Sequence, residues 1–332
     1  MPPKKKTTPK AAKKEAPKQE EQSTSTAPEQ NQEEDADEKV ELSKKRKLNF
    51  KTETEPEKPT RKSARGAPKS HPSSEQTIRY LLSPEALELC RPDEESKALE
   101  EADTKNMRTY SVTPLSPFEE LLCAAILSRP ISHALGHRTI RTILNPPYNF
   151  TNPKAIQDAG RERVLEAIFD ARTQHKEKTA TEISRLADVL IEKFIKEGDA
   201  TDTSLDAVRQ EAEEDVDQER ELLQENIKGI AKTGLDIFFR RVQWMWEESY
   251  PFVDSRSQNA LKELGLPTEA EQLSELVERH WEELGSAAVD GDVDVEGKKR
   301  RAFVVVLERI VGAHLEGKID RVKEEAANVA SR

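Results

Sequence analysis

Residues Gln224–Leu261 read QENIKGIAKTGLDIFFRRVQWMWEESYPFVDSRSQNAL, and the rest of the chain is organised around them. Helical patterning enters this stretch from Leu222 and Leu223. It breaks at Ile227-Lys228-Gly229-Ile230-Ala231 and resumes at Leu235, Ile237, Phe238, Phe239 and Val242. Two helices joined by a glycine-bearing turn form a hairpin. Its turn and the start of its second helix leave backbone N–H groups pointing outward, where they can hold a phosphate. Tyr250-Pro251 then opens a loop that ends in Asp254, followed by a third amphipathic segment through Leu261, Leu264 and Leu266. Taken singly, each piece has an ordinary reading. Gly-containing turns between helices are common, and an aspartate before a helix is an N-cap.

Composition divides the chain. Of 332 residues, 34% are hydrophobic, 5% aromatic and 35% charged, too polar for a single globule of this size. Residues 1–73 run through Lys/Pro/Ala, Glu/Gln/Ser/Thr and Lys/Arg/Pro tracts without apolar periodicity, and a disordered tail is expected there. The tail carries Lys4-Lys5-Lys6, Lys13-Lys14 and the cluster Lys44-Lys45-Arg46-Lys47. Such a cluster reads as a nuclear localisation signal and implies an import receptor and a nuclear location. Residues 1–71 hold 18 Lys+Arg against 13 Asp+Glu, and the remainder holds 35 against 51. An acidic folded part argues against strong non-specific DNA binding, which relies on phosphate neutralisation. No run approaches the ~18 apolar residues of a membrane span, and no apolar signal-peptide core is present, so no membrane contact is expected. The cysteines are Cys90 and Cys123 alone, which leaves no disulfide framework or Cys-based metal site.

Folded sequence is expected over 74–332, all of it helical. Ile78, Leu81, Leu82 and Leu87 outline a first helical face, and Arg91–Thr109 reads as a polar linker. Next comes Ser116-Pro117-Phe118-Glu119-Glu120-Leu121-Leu122. Ser116 is placed as N-cap, Pro117 as first helical residue and Glu119 as the third, a capping box. Helices are expected over Ile131–Leu144, Pro153–Ala159, Arg161–Asp170, Lys176–Phe194, a long acidic Ser204–Leu223, Leu273–Leu284 and Arg301–Leu315. Phe303-Val304-Val305-Val306-Leu307 suits a strand by composition, but apolar residues at 303, 306, 307, 310 and 311 favour a buried helix.

Hairpin, aromatic-rich helix, proline loop and aspartate, in that order, resemble the helix–hairpin–helix (endonuclease III-like) superfamily of DNA glycosylases. The resemblance extends over about residues 115–315 and is most specific over Ile227–Asp254. The segment from Pro117 to Ser128 is similar to the family's opening helix. The resemblance implies a two-lobed helical fold, with a barrel-like lobe over 131–250 and a second lobe from 74–130 plus 255–315. A flipped nucleotide would sit in the cleft between them. It implies base-excision repair, with lesion- or mismatch-containing duplex DNA as partner of a monomeric enzyme. Lys228, Gly229, Ile230, Ala231, Lys232, Thr233 and Gly234 would bind DNA, and a monovalent cation would be held by hairpin carbonyls. Asp254 would be the catalytic carboxylate.

Breaking an N-glycosidic bond builds positive charge on the sugar, which a carboxylate near C1′ stabilises. The base must first leave the stack, at a cost of a few kcal/mol that contacts to the distorted backbone must offset. This chain departs from the family at several positions. Thr233 stands where bifunctional members carry a Schiff-base lysine, the monofunctional pattern. Ala231 replaces the second hairpin glycine, and Arg129-Pro130 stands where many relatives have an intercalating Gln. No four-cysteine iron–sulfur loop follows Cys123. Two alternatives stay open, a bifunctional glycosylase/AP lyase using Lys232 and a non-catalytic DNA-binding or adaptor protein that kept the fold.

Overall fold

The computed structural model describes residues 71–101, 107–196, 198–285 and 293–330. The basic cluster and the tail expected over 1–73 lie, up to residue 70, outside the described residues. Among the described residues the chain is helical throughout, with 14 α-helices and no strands. In order these are α1 (Ser74–Leu82), α2 (Pro84–Cys90), α3 (Asp93–Glu101), α4 (Pro117–Leu127), α5 (His133–Leu144), α6 (Pro153–Asp170) and α7 (Lys176–Val189). They continue with α8 (Asp206–Glu211), α9 (Val216–Asn226), α10 (Lys232–Val242), α11 (Ser255–Leu264), α12 (Ala270–Glu278), α13 (Val295–Leu315) and α14 (Ile319–Ala327).

Local signals explain most of the boundaries. Ser116 caps α4 by accepting the Glu119 N–H while the Glu119 carboxylate accepts the Ser116 N–H, and Pro117 is the first helical residue. The two helices expected around Gly160 are present as α6, kinked at that glycine, whose φ is +70°. Two expectations fail and one helix is added. The linker expected over Arg91–Thr109 contains α3, which buries Glu95. The long acidic helix over Ser204–Leu223 is broken into α8 and α9, because Glu213 and Glu214 adopt left-handed backbone at φ +54° and +56°. α14 is an added helix with Ile319, Val322 and Ala326 buried.

Buried side chains form two hydrophobic clusters. The first runs from Tyr110 to Trp246 and includes Phe118, Phe150, Phe238, Phe239 and Trp246. The second gathers α1, α2 and α11–α14 around Phe303, Val306, Leu307 and Ile310 of α13. The apolar FVVVL run is thus a helix interior. Its period lets α13 meet α1, α2, α11 and α12 at once. At Gly312 a Cβ would stand 2.1 Å from the Cys90 carbonyl oxygen, so only glycine lets α13 cross the end of α2 this closely. α4, expected with the second group, packs on α10, and Phe118, Leu121 and Leu122 belong to the first cluster.

Candidate functional site

The hairpin is held by its apolar residues and exposed at its tip. Ile227 and Ile230 are buried in the first cluster, while Lys228 and Gly229 are exposed. Gly229 has φ +102°, a conformation that side-chain-bearing residues rarely adopt. The N–H of Ile230 donates to the Ile227 carbonyl at 3.2 Å and closes the turn. Gly234 is also buried, beside Ile230 and Ser128. The outward groups are those of Lys228, Gly229 and the first turn of α10. Its N-cap, Ala231, supplies no side-chain hydrogen bond, and Lys232 and Thr233 are exposed. Lys232 Nζ lies 2.8 Å from Asp236, which also accepts from Arg220.

An internal carboxylate stands at the tip. A Cβ on Gly229 would meet the Glu182 carboxyl carbon at 2.8 Å and its oxygens at 3.0 and 3.1 Å. Glu182, on α7, is ion-paired with Arg129 at the end of α4. The Arg129 side chain is therefore largely buried against Glu182. It holds an acidic group against the turn.

Asp254 caps α11, with Oδ1 accepting the Ser257 N–H at 2.7 Å. Its Oδ2 accepts from Arg240 Nη1, and the residue is 4% exposed. The loop before it is clasped by Gln243. That amide accepts the Phe252 N–H at 2.8 Å and donates to the Phe252 carbonyl at 3.0 Å, fixing the proline loop to the end of α10. Arg240 Nε also donates to Glu308 of α13 at 2.7 Å. Its neighbour Arg241 makes two bonds to Glu120 of α4, at 2.9 and 2.8 Å. Burial works against these charges and the pairing restores them. Burial pushes the Glu308 carboxyl up, but Arg240 and Arg241 hold it below its ordinary value. For Glu120 burial wins over Arg241 and leaves the carboxyl raised. Arg240 and Arg241 thus stitch the two hydrophobic clusters together from one helix.

A cavity of about 130 Å³ opens between the clusters. α5 contributes His133 and His137, α10 contributes Arg240, and α13 contributes Glu308 and Arg309. Tyr110, Ser111, Arg129 and Arg256 complete its polar wall. Asp254 is not on this wall; Arg240, its ion-pair partner, is. Arg256, two residues after Asp254, has no ion-pair or hydrogen-bond partner described, unlike Arg129 and Arg240.

Sequence reasoning missed the Arg240–Arg241 pair, Gln243, Glu95 and His137. The available signal was charge inside apolar runs: IFFRRV in α10 and PFEELL in α4 place arginines and glutamates where a buried face demands partners. Tyr148 and Phe150 are core residues, with the Tyr148 hydroxyl bonded to Asp170. Among the described residues no cluster of three or more His, Cys, Asp or Glu could hold a metal ion, and no helix is long and apolar enough to cross a membrane. No family model matches the chain, and neither a curated protein nor a solved structure matches it at a significant level.

Proposed function

We propose that this chain is a two-lobed helix–hairpin–helix DNA glycosylase, monofunctional, that grips a distorted duplex through the hairpin and takes an everted base into the cavity. Asp254 supplies the negative charge that stabilises the sugar cation as the base departs. One observation carries the reading. A single rigid helix, α10, begins at the hairpin tip, lines the cavity with Arg240 and holds the Asp254 carboxylate through the same arginine. DNA grip, base pocket and carboxylate are thereby fixed to one element, which is what precise positioning of a reacting sugar requires. The lobes correspond to the two core clusters, and the cavity to the cleft between them. The basic cluster Lys44–Lys47 would carry the protein to the nucleus through an import receptor. The test is base release from a panel of lesion-containing duplexes by wild type and Asp254→Asn. Release that depends on Asp254 supports the assignment. Borohydride trapping on abasic DNA that disappears in Lys232→Ala would make the enzyme a lyase instead.

A second reading has its own observation. Both Asp254 oxygens are engaged, and Arg240 stands between the carboxylate and the cavity. In a non-catalytic binder that pair would be a permanent strut. Wild-type protein that binds distorted duplexes and releases no base from any lesion would establish that reading.

A further inference from the structure

Two arginines on the cavity wall carry charge that no carboxylate of the described residues compensates. Arg256, in the first turn of α11, makes no hydrogen bond or ion pair, and its guanidinium nitrogens are not sealed from solvent. A cation there also opposes the helix dipole, so the helix gains nothing from its position. Arg309, on α13, donates through Nη1 to the Leu81 and Ser83 carbonyls, while its Nε and Nη2 have no partner and are likewise open to solvent. The other arginines of the wall are paired, Arg91 with Glu88, Arg129 with Glu182, and Arg240 with Asp254 and Glu308. Beyond residue 71 the chain holds 35 basic against 51 acidic residues, so carboxylates are in surplus and yet none meets these two.

Burial pushes the Arg309 guanidinium down to about 10, which leaves it a cation at neutral pH. A cation drawn out of water without a counter-charge is costly, and an anionic occupant removes that cost. The wall's acidic residue, Glu308, is already engaged by Arg240 and Arg241. The space, near 130 Å³, far exceeds the ~10–15 Å³ that one water needs. Its enclosure decides which anion fits. A backbone phosphate has strand leaving on both sides and cannot be drawn into a space walled by α2, α5, α10 and α13. A base swung out of the stack enters end-on and can carry a negative group to the wall. A guanidinium fork matches the two oxygens of a carboxylate.

We infer that the cavity is a site for an everted base whose ring bears a carboxylate, its charge compensated by Arg256 and Arg309. The inference rests on the function proposed above and names its substrate class, bases oxidised to carboxylic acids.

The experiment measures, at one salt concentration, the affinity of the full chain for duplexes that differ at one position. They carry a ring-carboxylated cytosine, its neutral carboxamide isostere or a tetrahydrofuran abasic analogue, on cleavage-resistant fluorinated sugars where a base is present. Wild type should bind the carboxylate duplex roughly ten-fold or more tighter than the carboxamide duplex, the discrimination expected of hydrogen bonds to a charged group. Arg256→Gln breaks no contact of the fold and should cut that ratio roughly three-fold or more. Arg309→Gln, checked for folding by its melting curve, should bring the ratio near one. Should Arg309→Gln not fold, Arg256→Gln decides alone. A wild-type ratio near one with the tetrahydrofuran duplex still bound overturns the inference, since water or a buffer ion then compensates the arginines. So does an Arg256→Gln variant that keeps the full ratio, or one that weakens all three duplexes alike, which assigns the arginine to a backbone phosphate. If the tetrahydrofuran duplex is bound no better than undamaged DNA, the proposed function fails and this site with it.

Discussion

Arg240 reaches from α10 to both Asp254 and Glu308, so the aspartate's charge is balanced inside the fold before any DNA arrives. Asp254→Asn keeps the N-cap oxygen but leaves Arg240 with Glu308 alone. A hydrogen bond to a charged group contributes about 1.5–3 kcal/mol, and chemical denaturation should register a loss of that order. If the proposed chemistry holds, base release falls by roughly 10²–10³-fold, read by single-turnover excision at a temperature where the variant is folded. A second residue-scale prediction concerns Glu182, whose carboxylate occupies the space beside Gly229 where a phosphate would approach. Glu182→Gln removes a negative charge there and releases Arg129 from its ion pair. Two unit charges ~4 Å apart in water interact by about 1 kcal/mol, so duplex affinity should rise roughly five-fold at low salt, with the gain shrinking as salt is added. Unchanged or weaker binding, measured by fluorescence anisotropy, would mean that DNA does not approach the tip.

At the scale of elements, α9 presents its own test. Glu219 is fully buried there against the Glu248 carboxylate. Burial first, and that neighbour second, push its carboxyl up to about 8 from an ordinary 4.5. A raised carboxyl favours the fold below its unfolded value and loses that contribution as pH rises through the folded one. Glu219→Gln keeps the neutral form, so its melting temperature should gain on that of wild type progressively between about pH 4.5 and 8. Parallel melting curves across that range would show that Glu219 does not titrate there. Which elements could be read in advance follows from how local their causes are. The hairpin, α4 and α11 were legible because Gly229, the Ser116–Glu119 box and Asp254 act within a few residues. α3 was not, since DEESKALEE is polar by composition and its reason to dock, the Glu95–His137 contact, lies 42 residues away. The break between α8 and α9 escaped because left-handed backbone at two glutamates has no residue signature of the kind glycine gives.

At the scale of the molecule, the two core clusters are joined by a seam of buried charge, and the cavity lies along it. Its location was invisible in the sequence because its walls come from α5, α10, α13 and the segment at Tyr110, brought together only by packing. The seam contains carboxylates of opposite tendency. Glu95 and Glu308 are held below their ordinary values, whereas burial raises Glu119 and Glu120. Stabilisation from the first pair is fully present above about pH 4.5 and lost as pH falls; that from the second is present below that point and lost as pH rises. Acid unfolding of the whole protein therefore mixes the two signs, and a single-site comparison separates them. With its carboxyl at about 2, Glu95 stabilises the fold by at most about 3 kcal/mol near neutrality, through the His137 bond and charge, the Ser111 bond and the Arg141 charge. Glu95→Gln should be less stable than wild type at pH 6, and the difference should be smaller at pH 3, because below about pH 4.5 the carboxyl of the unfolded chain takes up a proton that the folded one, at about 2, still lacks. Urea denaturation at the two pH values measures it. A difference that stayed constant would assign the loss to packing around α3 and remove the charge of Glu95 as the force that docks this helix over the cavity.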